Sequence, residues 1–210
     1  MSTDQTENFE TSIDIPDKVT VTLKKSMLAV SGPLGKTFKN FRKIPVSLEI
    51  KNNNISIKTS GNRKKEYAIL NTAQSLIRNL CEGVIDGYTI KMKVVYAHFP
   101  ITVKTKDTEV IIENFQGERA ARKAKIHGQT KVVVKGDDII LTGHVLSEVS
   151  QSAAEIDQKS KIKNKDHRVF LDGIYIYSKS KGIEKQLFIF YTLSESLWHL
   201  ILNSKIRRVN

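Results

Sequence analysis

One cysteine, Cys81, stands in 210 residues. A lone thiol excludes a disulfide framework and a four-cysteine zinc site within one chain, and it points to an intracellular setting. Cys81 lies at the apolar end of "SLIRNLCEGV", where it reads as a buried structural thiol rather than a nucleophile. No apolar run reaches the roughly 18 residues of a spanning helix. The nearest, "LFIFYTLSESLWHLIL", is shorter and carries Glu195 and His199, both costly in hydrocarbon. No membrane partner is expected. The N-terminal "MSTDQTENFETSIDIPD" is polar and acidic, without the cationic and apolar regions of a secretory signal.

Catalytic signatures are equally scarce. His98, His127, His144, His167 and His199 form no i, i+4 pair, and neither HExxH nor GxSxG occurs. "GPLGKT" ends like a phosphate-binding loop, but Val30 stands where that motif needs its first glycine. "FKNFRKIPV", with Pro45, follows in place of a helix. The stretch is expected to be a hairpin turn. Asp137-Asp138 reads as turn chemistry rather than a carboxylate pair. No catalytic residue, metal site or cofactor is expected.

What the chain has is positive charge. Thirty-four Lys and Arg face 22 Asp and Glu, a formal net charge of +12, with a pI near 9.7. An apolar share of 40% and a charged share of 27% suit a folded protein. A surplus of this size calls for a polyanion, nucleic acid or an anionic membrane.

The chain is also written twice. "VSLEIKNNNISIK" (46–58) and "TKVVVKGDDIILT" (130–142) align at an offset of 84, with Leu48 on Val132, Ile50 on Val134, Ile55 on Ile139 and Ile57 on Leu141. Each is an alternating strand pair around a polar turn. The same offset places Pro16 on Pro100, and an offset of 82 places Val30 on Ile112 and Gly35 on Gly117. Helical periodicity follows each hairpin, at about 64–82 and 145–158. The expected fold class is α+β: two tandem copies of a small, mostly antiparallel sheet covered by one helix, plus a C-terminal extension. The expected division is a flexible segment 1–11, a first domain 12–87, a second domain 88–182, and a tail 183–210. Residues 88–182 carry 17 cations and 11 acids, against 13 and 9 in residues 1–87, so the second copy is expected to make the main contact.

Two stretches of that copy concentrate the cations. "GERAARKAKIHG" (117–128) crowds Arg119, Arg122, Lys123 and Lys125 beside one acid, Glu118. Phosphate binding would relieve their repulsion and release counterions. "KIKNKDHRVFLDGIYIYSKSKG" (161–182) interleaves charge with aromatics. If extended, it could aim Lys161, Lys163 and Lys165 at one backbone. Arg168 could hold a phosphate through two parallel bonds. Asp172-Gly173 is expected to make a tight turn. Phe170 is expected in the core. Tyr175 and Tyr177 share a face that could stack on a base or pack on the sheet.

"QKSKIKNKDHRVFLDGIYIYSK" resembles the C-terminal signature of the eukaryotic and archaeal branch of the ribosomal protein L6 family, called L9 in eukaryotic large subunits. Gln158, Lys165, Arg168, Phe170, Asp172, Gly173, Tyr175 and Lys179 are in register with it. "YTIKMKVVYAHFPI", "SQSAAEI" and the "GPLG" turn are similar to the family as well. The resemblance covers about 12–182. It implies a duplicated fold and a structural role in the large ribosomal subunit. It implies binding of ribosomal RNA near the sarcin-ricin loop and the stalk base, where translation GTPases dock. The RNA-binding residues it implies are Arg119, Arg122, Lys123, Lys125, Lys161, Lys163, Lys165, His167, Arg168, Tyr175, Lys179 and Lys181. The implied partners are large-subunit rRNA and neighbouring subunit proteins including the stalk base. The implied state is a monomer within cytoplasmic ribosomes assembled in the nucleolus. The alternatives are an RNA-binding regulator outside the ribosome and an RNA-acting enzyme.

The chain departs from the family after the signature. "IEKQLFIFYTLSESLWHLILNSKIRRVN" is strongly apolar with a basic end. Residues 187–202 are expected to form a helix docked in a groove, on this chain or a neighbour.

Overall fold

Thirteen strands and two long helices alternate along the chain in two rounds. The computed structural model describes residues 9–183, apart from Asn52, Asn62, Asn164 and His167. The expected docked tail helix therefore lies outside the described residues. The first round runs β1 (Glu10–Asp14), β2 (Thr20–Lys24), β3 (Met27–Gly32), β4 (Gly35–Asn40), β5 (Ser47–Lys51), β6 (Asn54–Lys58) and α1 (Lys64–Ile85). The second runs β7 (Tyr88–Val95), β8 (Thr102–Lys106), β9 (Glu109–Glu113), β10 (Arg122–Lys125), β11 (Lys131–Lys135), β12 (Asp138–Gly143) and α2 (Leu146–Lys159), then β13 (Gly173–Lys181).

The two rounds build the same α+β unit. The sheets are β1-β6-β5 and β2-β3-β4 in one, and β11-β12-β7-β13 and β10-β9-β8 in the other. Every pairing is antiparallel. The sheet of each copy is thus split in two, with the helix against both. The repeat maps β5-β6 onto β11-β12, and Ile55, Ile57, Ile139 and Leu141 are all fully buried. Val30 and Ile112 sit buried in the central strands β3 and β9.

The other aligned glycines diverge. Gly35 opens β4 directly after a two-residue turn, so "GPLGKT" is a hairpin. Gly117 ends a short 3-10 turn, Phe115–Gly117, in a longer β9–β10 loop. Asn114, Gln116 and Gly117 are left-handed there, with φ of 57°, 52° and 77°.

Each helix is formed by a narrow apolar stripe. On α1, Leu70, Ala73, Ile77, Cys81 and Val84 recur at steps of three and four and are buried. On α2, Val149, Ala153 and Ile156 do the same, with Ser152 buried beside them. Burial, then the neighbouring Glu82, pushes the Cys81 thiol pKa up, which suits a structural thiol. Two apolar cores result, one from Ile15 to Val84 and one from Ile90 to Ile174. β1 starts at Glu10, inside the stretch expected to be flexible. Glu10 and Thr11 pair with Lys58 and Ile57, and that ladder orders them.

The halves meet around the end of α1. A Cβ at Gly83 would lie 2.2 Å from the His144 carbonyl oxygen, so only glycine admits this approach. The Tyr88 hydroxyl donates to the Asn79 carbonyl at 3.0 Å. Lys181 pairs with Glu82 at 2.7 Å. The Gly182 N–H donates to the Gly87 carbonyl at 2.9 Å.

Candidate nucleic-acid interface

Three loops converge at one end of the second copy: 96–101 between β7 and β8, 114–121 between β9 and β10, and 160–172 between α2 and β13. Side chains tie them together. Asp172 Oδ1 accepts the Ala97 N–H at 2.6 Å. The His98 and Phe170 rings lie 6.3 Å apart. Asn114 Nδ2 donates to the Pro100 carbonyl at 3.1 Å. Phe99 rests against Gly117, where a Cβ would meet its ring at 3.4 Å.

Arg122 is the central tie, not a free phosphate ligand. Its guanidinium grips Glu118 through Nε at 2.8 Å and a second nitrogen at 2.5 Å. It donates to the Lys159 carbonyl at 2.8 Å and the Lys161 carbonyl at 3.3 Å. It also covers the Phe115 ring at 4.1 Å. A planar fork with several donors suits this role. Arg122 thereby satisfies open carbonyls at the end of α2 and fixes the 160–172 loop to the β9–β10 loop. These hydrogen bonds hold the Glu118 carboxyl below the usual carboxylate range, against the opposing effect of burial.

The reversal in the third loop also differs from expectation. Asp172 is buried at 3% exposure, and Gly173 opens β13 without a positive φ. The turn lies at 166–169 instead. Asp166 Oδ1 accepts the Arg168 N–H at 2.9 Å, and its carbonyl accepts the Phe170 N–H at 3.0 Å. An aspartate bonding backbone two residues on makes the turn locally. The 161–172 stretch is irregular rather than a strand, yet Lys161 and Lys163 still point outward around buried Ile162.

This geometry separates the charges. The acids of the tip are engaged inward: Glu118 by Arg122, Asp166 by its turn and Asp172 by Ala97. Arg119, Lys161, Lys163, Lys165 and Arg168 are exposed. None forms an ion pair with another described residue. Lys165 lies 4.7 Å above the Phe170 ring, which is half-buried against the second core.

The remaining expected residues spread away from the tip. Lys123 and Lys125 project from β10, with Lys123 at 3.6 Å from Glu109. The strand end is docked on α2 by three acceptors of that helix: Glu155, Ser152 and Glu148 take the N–H groups of Lys125, His127 and Gln129 at 2.9, 2.8 and 3.1 Å. Tyr175 and Tyr177 are exposed on β13, next to a register shift between Ile176 and Ser178. The Tyr175 hydroxyl donates to the Leu171 carbonyl at 3.2 Å. Lys179 is exposed, whereas Lys181 is committed to Glu82. His167 lies outside the described residues.

Sequence reasoning missed an apolar part of the tip. Tyr96, Phe99, Val169 and Leu171 are all exposed. An aromatic run beside Pro100, out of step with the alternation of β7, was the available signal. Among the described residues no three potential metal ligands cluster, and no helix is long and apolar enough to cross a membrane.

A duplicated α+β unit whose tip turns its cations outward defines a polyanion-binding protein of binary build. The sequence model of the family described as "Ribosomal protein L6" matches residues 99–173. A protein of Methanobrevibacter smithii named "Large ribosomal subunit protein uL6" is 44% identical over 167 residues, covering 80% of this chain and 94% of its own. The protein of the same name from Candida albicans is 41% identical over 181 residues, covering 82% and 95%. The chain belongs to the uL6 family of large ribosomal subunit proteins, a structural and non-enzymatic family.

Proposed function

We propose that this protein is a structural constituent of the large ribosomal subunit and binds large-subunit rRNA through the tip of its second copy. The observation that carries the reading is the separation of charge there: three acids engaged internally and five cations facing out. Such a surface gains free energy by neutralising phosphates and releasing their counterions. Lys123, Lys125, Tyr175 and Lys179 widen the same interface, and His167 falls within its loop. By family resemblance the RNA element is the region of the sarcin-ricin loop and the stalk base, and the protein supports translation-factor docking there. Residues 12–87 and 88–182 are its two domains. Its partners are rRNA and neighbouring subunit proteins including the stalk base. It acts as a monomer within cytoplasmic ribosomes after nucleolar assembly.

Sedimentation tests this reading. The tagged protein should stay with large subunits through a moderate salt wash. Recovery in light fractions would assign it to an RNA-binding regulator outside the ribosome.

A further inference from the structure

Apolar surface is held out at the tip, among the cations. Val169 and Leu171 are 62% and 59% exposed, and Tyr96 and Phe99 are 43% and 47% exposed. Their positions are built, not incidental. Phe170 packs inward, so Val169 and Leu171 on either side point away. The Asp172–Ala97 bond joins the loop bearing Leu171 to the loop bearing Tyr96. The fold therefore keeps these side chains in water at an ordering cost it does not recover by itself.

A partner that covers them must offer apolar faces and negative charge together. The flanking Lys165 and Arg168 are exposed, and the tip acids face inward. Paired RNA hides its base faces, whereas unpaired nucleotides present them for stacking beside their phosphates. We propose that Tyr96, Phe99, Val169 and Leu171 form a stacking surface for unpaired bases, so that the tip takes an RNA loop rather than a continuous helix. This rests on the RNA-binding reading above and names the kind of RNA element bound.

The test uses the full chain and two RNA probes of equal phosphate count. One is a hairpin with a fluorescent adenine analogue in its loop, and the other is a blunt duplex. At one salt concentration the hairpin should bind about tenfold more tightly. The double variant Tyr96→Ala, Leu171→Ser should lose about that factor for the hairpin and abolish the fluorescence change. It should keep its duplex affinity and salt slope. Both side chains are exposed, and an unchanged thermal transition verifies folding. If the variant fails to fold, Val169→Ser alone gives the same readout.

Equal binding of both probes by the wild type overturns the stacking surface and leaves the cationic interface standing. So does unchanged hairpin binding by the folded variant. A variant that binds both RNAs normally but leaves the large subunit assigns this face to a protein neighbour and also overturns the proposal. Absence of any salt-dependent RNA binding by the wild type sinks the underlying reading as well.

Discussion

Asp172 and Ala97 lie 75 residues apart, and the aspartate's Oδ1 accepts the alanine's N–H at 2.6 Å. The carboxylate is buried. This bond joins the start of β13 to the exit of β7, so two loops of the tip move as one. Asp172→Ala removes the acceptor and should cost about 1–3 kcal/mol in urea unfolding. Asp172→Asn keeps an oxygen there and should cost less. An alanine variant as stable as the wild type would show that the tie is dispensable.

Arg122 and Lys163 should separate stability from affinity. Arg122 holds Glu118, two carbonyls and the Phe115 ring. Arg122→Ala should destabilise the protein by roughly 2–4 kcal/mol, and Arg122→Lys should rescue little, because ammonium lacks the fork. Lys163→Ala should leave the unfolding midpoint within about 0.5 kcal/mol and weaken RNA binding. The reverse pattern would return Arg122 to the phosphate face.

Acidity should act through the same pair. Glu118 has a folded pKa below its unfolded value, chiefly from the Arg122 hydrogen bond. Its contribution is therefore present above the unfolded carboxylate value and is lost as pH falls through the lower folded value. Glu118→Gln should destabilise at neutral pH, with the difference from wild type shrinking in acid. A pH-independent difference would show that ionisation of Glu118 is not involved.

At the alkaline end, Tyr88 should control stability. Burial, then the charges of Glu82 and Asp86, pushes its phenol up to about 12. The folded state keeps that proton where the unfolded chain releases it, near pH 10. Stability should accordingly fall as pH rises from about 10 to 12. Tyr88→Phe should cost about 1 kcal/mol at neutral pH through the lost bond to Asn79. It should also flatten the alkaline limb, and thermal melts across that range read both effects.

Salt and subunit assembly test the charged tip. Five neutralised phosphates would give a log–log slope of binding against salt of roughly −3.5 or steeper. Arg168→Ala should weaken subunit incorporation more than Arg63→Ala, because Arg63 stands before α1 in the first copy, without a side-chain cap bond to lose. Equal incorporation of the two variants would move the main RNA face elsewhere.

The repeat was legible because both copies keep period-two strands and a period-3.6 helix in the same order, and burial enforces those periods. Leu48, Ile55 and Ile57 could thus be laid on Val132, Ile139 and Leu141 before any coordinates. The net charge and the lone cysteine set the class of partner for the same reason: both are properties of composition.

Which cations reach a partner was not legible. Arg119 and Arg122 are three residues apart in one basic run. One faces solvent, and the other is consumed by Glu118, Phe115 and the end of α2. Their difference arises from contacts with residues up to 39 positions away. Likewise, Asp172-Gly173 has the composition of a turn, but a distant N–H captured Asp172 and left the reversal to Asp166. Sequence determined the two α+β copies, their order and the sign of the charge, because local periodicity and composition carry those. Only the tertiary structure decided which charges were spent inside the fold and which apolar side chains were left outside, because a hydrogen bond or a ring contact depends on what folding brings within reach.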